Sequence, residues 1–290
     1  MLDRPLISLE SLFIFVHRGL TGILAKAILY HSNIVPLSLH GYYQLLKASG
    51  AWLMNYLRGS RKPFEQHLMY DMVVKTWDGF IFIARAGTLD LYAIALSEVF
   101  ELENWFKPLA KGVVIDVGAY IGTYTVRAMR TADLVVAIEP LPPNLGTLQK
   151  NVELNGRSQR AEVVLVNKAV AEGKKELRIF VPAESRLYRL NAASLKPLKG
   201  EFCSSYTISA DTLDSIVSEF GVEKVHLLKI DIEGYASESL LGMLDTLKKT
   251  RWLFIELWER DIPVVKVLRN LGFRLKDCHG DNFLFKNEGL

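Results

Sequence analysis

From Lys111 onward, short runs of apolar residues alternate with stretches in which apolar residues recur every third or fourth position. The runs predict strands over Val113–Val117, Leu134–Glu139, Glu162–Val166, His226–Ile230 and Trp252–Trp258. The periodic stretches predict helices over Gly122–Arg130, Pro143–Asn155, Asp211–Phe220, Ser237–Lys248 and Pro263–Leu271. Such βαβα order implies an α/β fold, a mostly parallel sheet with helices on both faces. The tail "FRLKDCHGDNFLFK" breaks the alternation and reads as an antiparallel hairpin at the sheet edge, turning through His279-Gly280-Asp281. Upstream, "MVVKTWDGFIFIARAG" alternates as two strands around Asp78-Gly79. A helix then follows, capped by Thr88 or Asp90. No internal repeat or low-complexity segment is evident.

The N-terminal part differs in charge. Up to Lys75 there are eight Lys/Arg against four Asp/Glu, a net of +4, while the whole chain of 290 residues carries only +3. Within this part "SLFIFVHRGLTGILAKAILY", residues 11–30, is strongly apolar but interrupted by His17, Arg18 and Lys26. Central charges are costly in a spanning helix, so the segment reads as a helix packed on the body of the protein, with a membrane-surface helix as the alternative. It also lacks the pattern of a secretory signal. Half the residues are hydrophobic, a globular composition that argues against disorder and against a strongly nucleic-acid-binding chain. Cys203 and Cys278 are the only cysteines, too few for a disulfide framework or a Cys-based zinc site, which fits a reducing, cytoplasmic setting.

Candidate chemistry begins at "KGVVIDVGAYIGTYTV", Lys111–Val126, where a buried strand turns through small residues into a helix. Such a turn sets backbone N–H groups beside a crevice suited to an anionic group. A dinucleotide fingerprint needs a glycine where this chain has Tyr120, and no Gly-Lys-Ser/Thr follows to make a P-loop. The ligand expected is therefore a nucleoside without a pyrophosphate. Glu139, about twenty residues beyond Gly118, has the position and chemistry to accept hydrogen bonds from both ribose hydroxyls. An adenosine with a charged amino-acid tail fits both features.

The ordered stretches "ARAGTLDLYAIALSEVF", "VVIDVGAYIG", "VVAIEPLPPNLGTLQKNVELN", "VVLVNKAVAE", "TLDSIV" and "LLKIDIEGYA" resemble the successive motifs of FkbM-type methyltransferases, from about Tyr70 to the C-terminus. The resemblance implies a Rossmann-like class I methyltransferase sheet, with a helical extension over residues 1–70 and the methyltransferase domain over 71–290. Residues 71–110 then form a hairpin and helix lead-in, and 111–290 the core. It also implies S-adenosylmethionine as cofactor, and O-methylation of a hydroxyl on a glycan or secondary-metabolite acceptor. Two residues depart from the family pattern: Tyr120 stands where an Asn is frequent, and Trp258 where a His often follows Glu256.

On that reading Asp116 accepts from the methionine ammonium, the alternative being a cap on local backbone N–H groups. Gly118, Ala119, Tyr120 and Gly122 line the turn under the methionine carboxylate and ribose. Glu139 holds the ribose, and Asn167 with Lys168 stands near the adenine edge. Asp231 and Glu233 in "KIDIEG" and Glu256 on the next strand lie where α/β folds bind ligands. They are candidates for the catalytic base or for orienting donor and acceptor, while Glu233 as a mere helix cap is the structural alternative. Three converging acids need a cation: the sulfonium donor, a Lys or Arg, or a divalent metal, for which no ligand set is indicated. His226 and His279 have the positions of ordinary structural residues. Strands within Lys174–Ser209 flank a loop in which Arg186, Tyr188, Arg189 and Asn191 could bind an acceptor. The expected partner is a small-molecule or glycan acceptor and no nucleic acid, with membrane contact through residues 11–30 the alternative placement. A nicotinamide-dependent oxidoreductase, disfavoured by Tyr120, and a non-catalytic membrane-associated protein with a relic pocket are the competing functions.

Overall fold

The computed structural model describes residues 20–60, 62, 64–97, 99–182 and 202–290, which fall into two compact units, one ending at Phe100 and one beginning at Glu101. In the first unit, helix Leu20–Asn33 runs into β1 (Ile34–Pro36) and then helix Leu39–Leu57. Ser38 starts the second helix by accepting a hydrogen bond from the Gly41 N–H at 3.0 Å. The hairpin expected around Asp78-Gly79 is present as β2 (Met72–Thr76) and β3 (Ile81–Ala84), and β2 also pairs with β1. Alternate β2 residues are buried, as the alternation requires. Tyr30, Trp52 and Phe64 pack as an aromatic cluster, with Phe64 stacked on Tyr30 and edge-on to Trp52. Of residues 11–30, only those from Leu20 on lie within the described part.

The second unit is built on a seven-stranded sheet: β4 (Val113–Val117), β5 (Leu134–Ile138), β6 (Glu162–Val166), β10 (Val225–Ile230), β11 (Thr250–Glu256), β12 (Phe273–His279) and β13 (Asn282–Asn287). Their order across the sheet is β12-β13-β11-β10-β4-β5-β6, parallel from β11 to β6 and antiparallel at the C-terminal hairpin. This is the Rossmann-like sheet expected. Strands β4, β5 and β10 are buried nearly end to end because helices cover both faces, so their apolar runs show no alternation. The main core joins Ile115, Val136, Leu228 and Leu253 to Ile216, Met243 and Leu268 from the covering helices. A smaller sheet of β7 (Ala169–Val170), β8 (Lys175–Pro182) and β9 (Phe202–Asp211) supplies the strands expected in Lys174–Ser209. Arg186, Tyr188, Arg189 and Asn191 lie outside the described residues.

Helix boundaries differ more than strands. The helix expected over Gly122–Arg130 is only Thr125–Ala128, and Ser237–Lys248 is split by a 3-10 turn at Leu240–Met243. The chain runs β4, β5, β6 to one side and then returns to β10 on the other side of β4, so β4 and β10 flank the switch point where such sheets bind ligands.

Two glycines make this crevice. Gly118 has φ +76, and a Cβ there would lie 1.7 Å from the Asp231 carbonyl oxygen. Gly122 has φ +89, and its Cβ would meet Leu148 at 2.3 Å. By contrast Gly221, φ +61, has open space around it. We expect Gly221→Ala to cost about 1 kcal/mol, the backbone penalty alone. Gly118→Ala should cost about 3 kcal/mol or more, because backbone must move to admit the methyl. Urea unfolding of the two variants compares them directly, and equal losses would show that the close approach to Asp231 is unimportant.

Candidate functional site

The site is organised by a cation inside the sheet. Lys229 pairs in register with Asp116 across β10 and β4, and both side chains are buried. The Lys229 ammonium lies 3.5 Å from Asp116 Oδ1 and 3.5 Å from Asp231 Oδ2, donates to the Gly118 carbonyl at 3.1 Å, and sits 4.9 Å from the centre of the Tyr124 ring. Thr125 donates its hydroxyl proton to Asp116 Oδ2 at 2.6 Å. Asp116 Oδ1 is left buried without a hydrogen bond. An ion buried without partners costs several kcal/mol, so the three charges stabilise one another.

The turn after β4 was expected to offer free N–H groups, and at four positions it does not. Gly118 and Ala119 both donate to the Ile138 carbonyl, Tyr120 donates to Glu139 Oε2 at 3.0 Å, and Gly122 donates to the Ala119 carbonyl. The end of β5 thus folds over the turn and consumes these donors. Glu139 is buried, and its Oε1 accepts from the Leu141 N–H at 2.9 Å and from Asn144 at 3.3 Å. Burial pushes its carboxyl up to about 7, against the hydrogen bonds from Leu141, Tyr120 and Asn144 and the charge of Lys229. Asn167 is exposed and ties down the chain after β5, donating to the carbonyls of Glu139 and Pro140 at 3.0 and 2.9 Å. Lys168 is engaged by Asp211 and Glu219 at 3.3 and 3.2 Å. Its partial burial pulls the ammonium's pKa down, but the bonds to those two carboxylates outweigh this and raise it.

The expected carboxylate cluster is assembled just beyond the strand ends. Asp231 follows β10 directly, Glu233 sits in the next turn with φ +51, and Glu256 closes β11. Burial raises the Glu233 carboxyl to about 8, helped by the negative charge of Asp231 and opposed by Lys229. Burial raises Glu256 to about 9, with the charges of Asp231 and Glu233 and a hydrogen bond to Asp231 adding to it, opposed by one with Trp258. Glu256 Oε2 is buried without a hydrogen-bond partner. Near neutral pH Glu233 and Glu256 therefore hold protons, whereas as catalytic bases they must first lose them.

Sequence reasoning asked for a cation but did not find Lys229. Its signal was a lone Lys inside the apolar run "VHLLKI", one residue before the strand's end. It also passed over Glu101, which is buried and accepts at Oε1 from His279 Nδ1 at 2.9 Å and Asn282 at 3.0 Å. Asn282 is the cross-strand partner of Glu256, so this trio stands at the same carboxyl edge. Glu101 and His279 are 178 residues apart, a separation that no local pattern bridges. His226 is half-buried near the start of β10, where burial and then the charges of Arg251 and Lys111 lower its pKa. Among the described residues, no group of three His, Cys, Asp or Glu is arranged to hold a metal ion. A separate cleft of about 320 Å³, lined by Lys111, Gly112, Arg130, Thr131, Asp133 and Arg160, opens at the opposite ends of β4 and β5 and lies away from these carboxylates.

The sequence matches the FkbM methyltransferase domain over residues 116–275, from Asp116 at the switch point to the C-terminal hairpin. It is also 27% identical over 202 residues to the AMB antimetabolite synthetase AmbE of Pseudomonas aeruginosa; the match takes in 58% of this chain and only 9% of that protein. Among solved structures, an S-adenosylmethionine-dependent methyltransferase from Agrobacterium tumefaciens aligns with a TM-score of 0.46 and 11% identity, over 76% of this chain and 71% of that one. Trm5b from Pyrococcus abyssi aligns with a TM-score of 0.39 and 13% identity, over 75% of this chain and 54% of that one. With the matched domain covering more than half its length, the chain belongs to the FkbM methyltransferase family.

Proposed function

We propose that this protein is an S-adenosylmethionine-dependent methyltransferase acting on a hydroxyl oxygen of a small-molecule or glycan acceptor, held at the carboxyl edge of β10 and β11. The observation that carries this reading is the acidic cluster around Lys229, with two carboxyls that keep their protons near neutral pH. The residues present suit the donor. Asp116 Oδ1, buried beside the Lys229 ammonium but lacking a hydrogen bond, is an acceptor for a further ammonium, and Gly118 lets the turn close on the Asp231 carbonyl. Asp116, Gly118, Ala119, Tyr120, Gly122 and Glu139 would hold the donor, with Asn167 and Lys168 toward its adenine and Asp231 beside Asp116. Bound there, S-adenosylmethionine supplies a methyl group activated by its sulfonium.

The chain's own part is to place the acceptor and take its proton. A hydroxyl is a poor nucleophile while protonated, and orientation against the methyl contributes much of the acceleration. Glu256 Oε2, which makes no hydrogen bond, is the acceptor for that proton once the carboxyl's own has left, with Glu233 beside it. Asp231, facing Lys229, orients the pair. Because their carboxyls sit at about 8 and 9, Glu233 and Glu256 are stronger bases than ordinary carboxylates once ionised. The hydroxyl acceptor is inferred from this base chemistry.

Three measurements test the assignments. Glu139→Gln and Glu139→Ala should weaken donor binding by about 1–3 kcal/mol through lost charge-assisted hydrogen bonds. Donor affinity unchanged in both, by calorimetry, removes Glu139 from the site. Asp231→Asn and Glu233→Gln should lower kcat about tenfold or more while changing donor Kd less. Equal losses in both would place these residues on the donor alone.

The third is a pH dependence. A cation entering beside Glu233 and Glu256 favours their ionised forms, so donor binding should release protons at neutral pH. Affinity then rises with pH through about 8 and 9 and levels off above them, once both groups are ionised in the free protein. Calorimetry in buffers of different ionisation enthalpy reads the proton count. Binding without proton release would sink the assignment.

A further inference from the structure

Helix Leu39–Leu57 is apolar on two faces. Its inner face buries Gly41, Gln44, Leu45, Ala48 and Trp52 within the first unit. On the opposite side Leu39, Tyr43, Leu46, Met54 and Leu57 recur at helical spacing as one stripe, each between 49 and 89% exposed. Gln44 extends the patch by clamping the segment at Met69 and Tyr70: its amide donates to the Tyr70 carbonyl and accepts from both backbone N–H groups. Met69 and Tyr70 are themselves exposed, and the Tyr70 ring lies 5.3 Å from His40. A contiguous apolar surface of this kind marks an interaction site.

Charge decides the partner. Between Glu10 and Glu65 the chain has no acidic residue, but it has six basic ones: Arg18, Lys26, Lys47, Arg58, Arg61 and Lys62. Lys47 flanks the stripe, with its ammonium 5.9 Å from the Tyr43 ring centre, and Arg58 follows the helix directly. Were a second copy to cover this face by a twofold contact, Lys47 and Arg58 would meet cations like themselves, and the exposed acid beside the patch, Asp71, already accepts from the Ala86 N–H. An anionic bilayer meets both features at once, taking the apolar stripe at the acyl boundary and the cations at its headgroups, with tyrosines at the level they favour. Among the described residues no helix is long and apolar enough to cross a membrane. We infer that the exposed face of Leu39–Leu57, with Met69 and Tyr70, docks the protein on the surface of an anionic lipid membrane.

The test is flotation of the full chain with phosphatidylcholine vesicles, with and without phosphatidylserine. The intact protein should float with the anionic vesicles, less so as salt is raised. Leu46→Asp and Leu57→Asp should each reduce bound protein about tenfold, as should the pair Lys47→Glu and Arg58→Glu, with Tm and S-adenosylmethionine affinity unchanged. These positions are exposed in the folded chain, so an apolar variant that melts much earlier would show that the stripe is covered by the chain itself, and the inference would fall. It falls equally if the intact protein stays in solution with anionic vesicles. A concentration-dependent dimer that the aspartate variants convert to monomer would overturn it in favour of a second copy.

Discussion

One buried ammonium holds the site together. Lys229 reaches from β10 toward the side chain of Asp116, its neighbour in register on β4, and meets Asp231 beyond its own strand's end. Without it, the buried Asp116 carboxylate would lose its counter-charge beside the partly exposed Asp231, and like charges so placed repel. The same ammonium bonds the Gly118 carbonyl, so it fixes the turn as well as the charges. Loss of a single buried partner in such a group leaves an uncompensated charge, which costs about 3–5 kcal/mol. Position, backbone and electrostatics at the switch point therefore depend on one side chain.

The backbone around it is held under strain at two places. Tyr120 and Glu233 both have φ +51, one in the turn after β4 and the other in the turn after β10. A non-glycine residue there costs about 1–2 kcal/mol, least for Asn and Asp, whose short side chains bond locally. The Asn frequent at the Tyr120 position in this family suits that conformation, and Tyr120 keeps it by donating its N–H to Glu139. Gly118 lies between these turns, so close to the Asp231 carbonyl that no larger residue fits. Strain at paired turns is a common price of a pre-shaped ligand crevice, and here it coincides with the carboxylates that line it.

The parts of this arrangement written in consecutive residues were legible beforehand. Val113–Val117 and Glu162–Val166 are strands to the residue, each a run of mostly β-branched residues, the first buried in the middle of the sheet and the second only partly covered at its edge. Asp116, Glu139, Asp231 and Glu256 stood out as polar residues at the carboxyl ends of such runs. Helix ends were less legible: the helix after Gly122 begins only at Thr125, because Gly122 and the turn take up the first residues. What one sequence does not carry is the register between strands distant along the chain. Lys229 faces Asp116 over a separation of 113 positions only because β10 inserts beside β4, and Glu101 reaches His279 through the C-terminal hairpin. The apolar stripe on Leu39–Leu57 was hidden differently, since a helix with apolar residues on two opposite faces gives no sign of which one the fold will cover.

Charge balance then links the site to the proposed reaction. Asp116 and Asp231 facing one Lys229 leave a net negative charge, while Glu233 and Glu256 keep protons rather than add to it. S-adenosylmethionine, with a sulfonium, an ammonium and a carboxylate, brings one net positive charge, and after methyl transfer the remaining thioether brings none. A donor bound there would add one positive charge to this balance, and the product would add none. On the proposed reading, protons that leave Glu233 and Glu256 when the cation arrives are drawn back once its charge is gone, so these carboxyls favour donor over product, the more so as pH rises toward their pKa values. A methyltransferase must let go of a product that differs from its donor by one methyl group, and apolar contact with that methyl gives little discrimination. The buried carboxyls can supply the rest because they respond to the charge and not to the shape.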